Sequence, residues 1–399
     1  MTKQSTSPFF NPDGIIYLDG NSLGMLPTAV VKRLETVVQQ QWGHDLINSW
    51  NQHDWINLPL TVGDKIGQLI GAAAGQVVCC DSISLNLFKV LAAALAANPG
   101  RIEVLSTHDN FPTDLYMVQG LQQLLGDDRC QLRLVNEDEL TYAVNANTAV
   151  MLVTEVNFRS GRRLNLQQLT QLCHQHGALL IADLAHSAGA MAIELDHWQV
   201  DYAVGCSYKY LNGGPGAPGF VYVAKRHQAN VQQPLNGWMG HAQPFAFSPQ
   251  YQPASDIRAM LTGTPSILAL AAVDAALAAF QGLSLKQLHE QALDLADSFH
   301  QQLIDAGVIK QLVRLTPFDR RLRGCQLSYA HEHAYAICQA MIDAGVIADF
   351  RAPHYLRLGF TPLYLSAEQV QRAATVLIEI MQQQRYQLPQ YQQRRGAVT

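Results

Sequence analysis

Two apolar runs separated by one amphipathic segment constrain the fold of this chain more than any other feature. The stretch TAVMLVTEV (148–156) is apolar almost throughout, as in strands buried on both faces, and ALLIA (178–182) is a second such run. Between them, NLQQLTQLCHQHG (165–177) has leucines at helical spacing, with Asn165 as N-cap and Gly177 as the stop. A strand, a helix and a strand in this order form a crossover unit, so the two strands are predicted to be parallel.

Further strand-like runs extend this unit and predict an α/β fold. They are RIEVL (101–105), CQLRLV (130–135), DYAVG (201–205) and FVYV (220–223). We expect a three-layer α/β/α large domain with a mainly parallel sheet over residues 56–260. Residues 261–399 are predicted to form a connecting helix and a smaller α+β domain, with strands over 324–330, 346–350 and 355–360 and helices over 331–344 and 366–383. The N-terminal segment, 1–55, is predicted to pack with the smaller domain.

Composition argues against several classes of function for this chain of 399 residues. The net charge is −5 and there is no basic stripe, so nucleic-acid binding is not expected. The most apolar stretch, 265–280, carries Asp274 and is shorter than the ~20 residues that span a bilayer. It is predicted to be a buried helix, with Thr264 as N-cap and Pro265 at the first helical position. Seven cysteines without C-x-x-C spacing, and an N-terminus without an apolar signal core, predict a cytoplasmic protein with reduced thiols and no membrane contact.

Reactive side chains follow several of the predicted strands. In open parallel sheets, ligands bind beyond the carboxyl ends of the strands. Asp183 follows ALLIA, His186 comes one short turn later, and Lys209 comes after DYAVG, just before the glycine- and proline-rich run NGGPGAP. Ser84 lies near the start of a predicted helix, whose free amides favour an anion, and NFPTD (110–114) follows RIEVL. A lysine, an acid, an anion site and a flat ring at one edge match the needs of pyridoxal phosphate.

The sequence resembles the kynureninase family in seven motifs that occur in the family's order over nearly the whole chain. They are LDGNSLG (18–24), NFPTDLY (110–116), DLAHSAGA (183–190), YKYLNGGPGAP (208–218), GWMGH (237–241), LTGTPSIL (261–268) and YLRLGFTPLY (355–364). The resemblance implies a fold-type-I, aspartate-aminotransferase-like enzyme that depends on pyridoxal phosphate. It also implies the activity: hydrolytic cleavage of the Cβ–Cγ bond of L-kynurenine, and as a second candidate of its 3-hydroxy form, to anthranilate or 3-hydroxyanthranilate and L-alanine. Such an enzyme belongs to tryptophan degradation or NAD precursor metabolism.

The resemblance also implies roles for individual residues. Lys209 would form the Schiff base and move protons, Asp183 would pair with the ring nitrogen, and Tyr208 would be a candidate acid. The other implied cofactor contacts are Ile83, Ser84, Phe111, Pro112, Thr113, Asp114 and His186, together with Trp238 and Thr264, which would reach the site of the neighbouring subunit in a homodimer. Ile83–Ser84 stands where the family often has a threonine. Arg357 would hold the substrate carboxylate, and His44 and Trp50 are candidate substrate contacts, with Thr264 as a third.

Each of these residues also has a purely structural interpretation. Lys209 could lie at the surface, Asp183 could cap a helix, His186 could be a core histidine, and Arg357 could be an ordinary ion-pair partner. No metal site is expected, because the closely spaced histidines at 331 and 333 are two residues apart and would not share a helix face.

Two other functions remain open at the level of sequence. The first is a cysteine desulfurase or an aminotransferase of the same superfamily. A desulfurase needs a reactive cysteine on an accessible loop, whereas Cys325 lies in a predicted strand. The second is a binding protein on this fold without catalysis, which would be expected to have lost Lys209, Asp183 or Arg357.

Overall fold

The computed structural model describes residues 8–394, so the ends of the predicted first and last segments, 1–7 and 395–399, lie outside the described residues. The helices are α1 (Thr28–Thr36), α2 (Ser49–Gln52), α3 (Leu58–Leu69), α4 (Ile83–Ala97), α5 (Pro112–Leu125), α6 (Leu140–Ala143), α7 (Leu166–Gln175), α8 (Lys225–Gln228), α9 (Ile267–Ala276), α10 (Leu285–Asp305), α11 (Ala334–Asp343) and α12 (Ala367–Gln382). The strands are β1 (Ile16–Tyr17), β2 (Val77–Cys79), β3 (Glu103–Thr107), β4 (Gln131–Val135), β5 (Thr148–Thr154), β6 (Leu179–Asp183), β7 (Tyr202–Cys206), β8 (Gly219–Val223), β9 (Val313–Arg314), β10 (Gln326–Ala330), β11 (Val346–Ile347), β12 (Asp349–Arg351) and β13 (Tyr355–Gly359).

A seven-stranded sheet forms the centre of the large domain, in the order β2-β8-β7-β6-β5-β3-β4. The neighbours from β7 to β4 pair in parallel, and β8 pairs antiparallel with both β7 and β2. The predicted unit is present as β5-α7-β6, and Asn165 caps α7 by accepting from the backbone N–H of Gln168. The prediction of an α/β fold with a mainly parallel sheet is therefore confirmed.

Helices cover both faces of this sheet, which gives the three layers. Alternate strand residues point to opposite sides, so adjacent residues enter different cores. Cys79 packs in the core that contains residues of α3, α7 and α9, whereas Cys80 packs in the core that contains residues of α4 and α5. The strand ends between these two cores are where side chains become available for chemistry.

A four-stranded antiparallel sheet, in the order β12-β13-β10-β9, forms the smaller α+β domain together with α10, α11 and α12. The N-terminal strand β1 pairs in parallel with β11, and the N–H of Gly359 in β13 donates to the carbonyl of Leu18 at 2.6 Å. The segment before α1 is thus tied by backbone hydrogen bonds to the C-terminal part of the chain.

Two details of the predicted elements are wrong. The expected single strand 346–350 is divided between two sheets: β11 pairs with β1, and β12 pairs with β13. The apolar helix α9 begins at Ile267 with Ser266 as its N-cap residue, not at Pro265 with Thr264 as N-cap. Thr264 is exposed in the loop before α9. Among residues 8–394, no single helix is long and apolar enough to cross a membrane; α9 with its 3₁₀ extension and α10 pass that test only as a pair bent by 80°.

Candidate active site

Lys209 and His186 meet at the carboxyl edge of the central sheet. Lys209 comes three residues after β7 and His186 three residues after β6, two adjacent parallel strands. The Nζ of Lys209 lies 3.0 Å from Nε2 of His186. Burial lowers the pKa of His186 well below its usual range, and the positive charges of Lys209, Arg357 and Arg351 lower it further. A neutral imidazole therefore accepts a hydrogen bond from the lysine amine.

Two buried carboxylates lie beside this pair. Asp183 ends β6 and is 2% exposed, and Asp114, in the first turn of α5, is 1% exposed. Burial, and then the charge of Asp183, raise the pKa of Asp114 well above its usual range. Burial also raises the pKa of Asp183, although Lys209 and the N–H of Ala185 oppose the shift. Two carboxyl groups this close do not both ionise without a further cation near them.

Thr154 joins the two acids, and the sequence analysis did not identify it. Its Oγ1 donates to Asn110 Oδ1 at 2.5 Å and lies 3.3 Å from Asp114 Oδ2 and 3.5 Å from Asp183 Oδ2. Thr154 ends β5 and is paired in register with Asp183 of β6. The rule that active-site residues follow parallel strands applies to the end of β5 as it does to β6 and β7, so this residue could have been found.

An aromatic ring faces the lysine from the NFPTD motif. Phe111 immediately precedes α5, is 38% exposed, and has its ring centroid 5.9 Å from Lys209 Nζ. Phe158 packs against it edge-on at 5.1 Å. Pro112 and Thr113 form the first turn of α5, and Tyr208 lies on another side of the lysine, with its ring centroid 5.8 Å from Nζ. The exposed face of Phe111 is therefore free to stack on a planar ligand.

The start of α4, where the sequence predicts an anion site, has free backbone amides. Ser82 is the N-cap residue, and its side chain accepts from the N–H of Leu85. The first backbone hydrogen bond of α4 runs from the N–H of Asn86 to the carbonyl of Ser82, so the N–H groups of Ile83 and Ser84 have no acceptor within the helix. Gly219 of β8 passes close to this turn: a Cβ there would lie 2.9 Å from the Ile83 nitrogen. A glycine is required for this approach, and the free amides with the positive end of the helix dipole favour a phosphate.

These residues fit pyridoxal phosphate. A protonated ring nitrogen would bring a further positive charge to the buried acids Asp183 and Asp114. Lys209 would bind the aldehyde, Phe111 would stack on the ring, and the first turn of α4 would hold the phosphate. Gly219, which approaches Ile83, is paired with Cys206, three residues before Lys209, so the start of α4 and the lysine lie at the same edge of the sheet.

Arg357, the predicted carboxylate ligand, lies in β13 and is 2% exposed. Its Nε and Nη2 donate to Asp349 Oδ2, the former at 2.8 Å, and its Nη1 donates to the carbonyl of Phe158 at 2.6 Å. Asp349 was missed by the sequence analysis, because its pairing opposite Arg357 depends on the register of β12 with β13. Phe158 therefore connects Arg357 with Phe111, because its carbonyl accepts from the arginine and its ring packs against Phe111.

Four other predicted residues are not brought to this pocket within one chain. His44 is exposed and pairs with Asp45 at 2.8 Å, and Trp50 packs edge-on against Trp55. Trp238 is 39% exposed and Thr264 is exposed. Within residues 8–394, no hydrogen bond, ion pair or ring contact joins any of the four to Lys209 or Phe111. Their predicted roles stay predictions.

The fold is similar to that of several solved structures. The apo cysteine desulfurase of Thermococcus onnurineus has a TM-score of 0.80 at 17% identity, covering 92% of this chain and 95% of that one. The cystine C-S lyase C-DES, a mutant of which was solved with glycine covalently linked to its pyridoxal phosphate cofactor, has a TM-score of 0.78 at 14% identity, covering 92% and 97% of the two chains. At these identities the similarity shows the fold alone.

Sequence comparison gives the family. The model described as the kynureninase C-terminal domain matches residues 288–377. The kynureninase of Deinococcus radiodurans is 46% identical over 375 residues, which are 93% of this chain and 91% of that protein. The kynureninase of Pseudomonas fluorescens is 43% identical over 391 residues, which are 97% and 94% of the two chains. On this evidence, the chain belongs to the kynureninase family.

Proposed function

We propose that this chain is a pyridoxal-phosphate-dependent hydrolase that cleaves the Cβ–Cγ bond of L-kynurenine with water, giving anthranilate and L-alanine. The observation that carries the proposal is the arrangement at Lys209: its Nζ lies 3.0 Å from the imidazole of His186 and 5.9 Å from the ring centroid of Phe111, and two buried acids lie beside the pair. Nearly full-length similarity to curated kynureninases supports the choice of substrate.

When bound, pyridoxal phosphate supplies an electron sink for the electron pairs released at Cα and then at Cβ. Asp183 would accept a hydrogen bond from the ring nitrogen, and its carboxylate is held by the N–H of Ala185 at Oδ1, at 2.7 Å, and by Thr154 Oγ1 at Oδ2, at 3.5 Å. Phe111 would stack on the ring and keep its plane in place. The N–H groups at the start of α4 would bind the phosphate.

Lys209 moves the proton at Cα. Its Nζ lies next to His186. Because the pKa of His186 is lowered, the imidazole can share a hydrogen bond with the lysine and does not compete with it for the Cα proton. Burial, and then the nearby Cys206, raise the pKa of Tyr208 above its usual range, so its phenol stays protonated at neutral pH. A protonated phenol beside Lys209 is suited to protonate a carbonyl oxygen, which makes Tyr208 our candidate for the general acid.

Arg357 provides the positive charge for the α-carboxylate. A planar guanidinium binds a carboxylate through parallel hydrogen bonds, which fixes the orientation of the amino acid as well as its position. His44, Trp50 and Thr264 remain our candidates for the wall around the aryl ring. Because Trp238 and Thr264 are exposed here, we propose that they act in the site of the neighbouring subunit of a homodimer.

The cysteines do not favour the desulfurase alternative, although solved desulfurases share the fold. A desulfurase needs an accessible thiolate. All seven cysteines of this chain are buried, and burial raises the pKa of the Cys325 thiol to about 12. Cys325 is also held by its neighbours, since its Sγ lies 3.3 Å from the carbonyl of Ala190.

Product analysis tests the proposed function. The protein loaded with pyridoxal phosphate is incubated separately with L-kynurenine, 3-hydroxy-L-kynurenine and L-cysteine. We expect equal amounts of alanine and anthranilate from kynurenine, and the ratio of kcat/KM for the two kynurenines gives the substrate preference. Sulfide from cysteine without anthranilate from kynurenine would overturn the proposal in favour of the desulfurase.

A further inference from the structure

Two arginines converge on one serine hydroxyl next to the candidate active site. Arg357 Nη2 donates to Ser22 Oγ at 3.1 Å, and Arg351 Nη2 donates to the same oxygen at 3.3 Å. Ser22 in turn donates to Asp349 Oδ2 at 2.9 Å. A single oxygen atom is thus bound by two guanidinium groups, as an oxygen of a bound carboxylate would be.

The sheet geometry places these groups on one face. Asp349 pairs directly opposite Arg357 across β12 and β13, and Arg351 is two residues after Asp349 in the same strand. Asp349 is fully buried and binds both arginines, with Arg351 Nη1 3.1 Å from Oδ1 and Arg357 Nε 2.8 Å from Oδ2. Its charge holds the two guanidiniums together where their mutual repulsion would separate them.

Arg357 alone has few donors left for a substrate. A guanidinium has five N–H bonds, and four of those of Arg357 are directed at Asp349, Ser22 and the carbonyl of Phe158. A carboxylate that took the position of the Ser22 oxygen would gain the Nη2 hydrogens of both arginines. Arg351, whose side chain is 37% exposed, is the more accessible of the two.

The arginine pair is connected to the residues around Lys209. The charges of both Arg357 and Arg351 help to lower the pKa of His186, and that of Arg351 opposes the raised pKa of Tyr208. The loop that carries Ser22 also reaches the lysine segment, because the N–H of Gly24 donates to the carbonyl of Tyr208 at 2.8 Å. Arg357 is linked to the same region through Phe158, whose carbonyl accepts from Nη1 and whose ring packs against Phe111. The cluster therefore adjoins the residues around Lys209.

We propose that Arg351 is a second guanidinium of the substrate-carboxylate site, that Asp349 positions it together with Arg357, and that the Ser22 hydroxyl occupies the position of one carboxylate oxygen. The inference rests on the proposed function, because it assumes an amino-acid substrate. It assigns Arg351 to recognition of the α-carboxylate, while the chemistry stays with Lys209. An arginine in this role affects only ligands that carry the carboxylate.

The test compares ligands with and without that group. The loaded wild-type protein, Arg351→Gln and Arg351→Lys are titrated with L-kynurenine and with its decarboxylated amine, and binding is followed by the change in the visible absorption of the cofactor. Loss of one charge-assisted contact predicts about tenfold to hundredfold weaker binding of kynurenine to Arg351→Gln. We expect a matching rise in KM, a change in kcat of less than about threefold, an unchanged dissociation constant for the amine, and an intermediate result for Arg351→Lys.

A surface arginine of the same domain provides the control. Arg372 in α12 is exposed, so Arg372→Gln removes an equal charge far from the cluster and is expected to behave as wild type in both titrations. Equal weakening of both ligands by Arg351→Gln, or no weakening of either, would overturn the inference. Cofactor absorption and the melting temperature show whether each variant is folded. Wild-type protein that binds kynurenine but releases no anthranilate would defeat the proposed function, and the ligand contrast would still decide the role of Arg351.

Discussion

Replacing Asp183 by asparagine tests the central electrostatic argument about the pocket. The amide has the shape of the carboxylate, and its oxygen can still accept from the N–H of Ala185, which now donates at 2.7 Å. The change therefore removes a negative charge from a site that is 2% exposed and leaves the packing in place. The variant would lack the carboxylate that pairs with the protonated ring nitrogen of the cofactor.

The size of the loss follows from burial. A hydrogen bond to a charged group contributes about 1.5–3 kcal/mol, so the dissociation constant of the cofactor should rise roughly 10- to 150-fold. The effect on kcat should be larger, about 10² to 10³-fold, since removal of one preorganised electrostatic group costs this much where charge develops. Titration of the cofactor-free protein gives the dissociation constant, and anthranilate fluorescence under saturating cofactor gives kcat.

Asp114→Asn is the matched control for this experiment. Asp114 is equally buried and contacts the same threonine, but its pKa is raised well above the usual range by burial and by Asp183. Because burial raises the pKa of Asp114 further than that of Asp183, we expect Asp114 to hold the proton of the pair, and its replacement by a neutral amide should weaken cofactor binding less than about tenfold. Equal losses in the two variants, or wild-type cofactor affinity and kcat in Asp183→Asn, would refute the assignment of Asp183 to the ring nitrogen.

Two further predictions concern residues outside the pocket. Cys325→Ser should keep kcat/KM for anthranilate release within about twofold, because its buried thiol takes no part in the reaction; a large loss would revive the desulfurase reading. Burial alone would raise the pKa of Asp201, but hydrogen bonds from His174, His227 and the N–H of Leu180 outweigh it and hold that pKa below its usual range. Its stabilising effect is therefore present above the unfolded pKa near 4 and is lost as pH falls below that value toward the folded pKa. We expect Asp201→Asn to lower the unfolding free energy at pH 7 by about 1–3 kcal/mol and to flatten its decline below about pH 4. Urea unfolding from pH 7 to about pH 2 measures both effects, and an unfolding free energy at pH 7 equal to that of the wild type would contradict the prediction.

Most of the central fold could be predicted because its signals are local. The runs that became β5, β6 and β7 are buried on both faces, and each was placed within two residues of its bounds. The failures have a different cause. β1 and β11 are two residues long and have no periodicity, so their pairing, and the division of 346–350 between two sheets, depend on contacts between distant parts of the chain.

The residues of the candidate site also fall into those that local sequence signals predict and those that depend on distant contacts. Lys209, Asp183 and His186 follow strands directly, so strand position alone brought them to one edge, and Thr154 could have been found by the same rule. Ser22, Asp349 and Arg351 could not, because their relation to Arg357 requires strand register and a loop from the other end of the chain. The resemblance to a family supplied Arg357 without its surroundings.

The segment 18–24, near the N-terminus, contacts both the lysine segment and the strand that carries Arg357. At one end, the carbonyl of Leu18 accepts from Gly359, two residues after Arg357 in β13; at the other, Gly24 donates to the carbonyl of Tyr208. A Cβ on Gly24 would lie 2.2 Å from the Lys209 carbonyl oxygen, so only glycine permits this approach. The same few residues contact both the lysine segment and the arginine pair. A side chain at position 24 would therefore change the distance between Lys209, which acts at the substrate amine, and the arginines, which bind the substrate carboxylate. That distance matters because the amine and the carboxylate are attached to the same Cα of an amino-acid substrate.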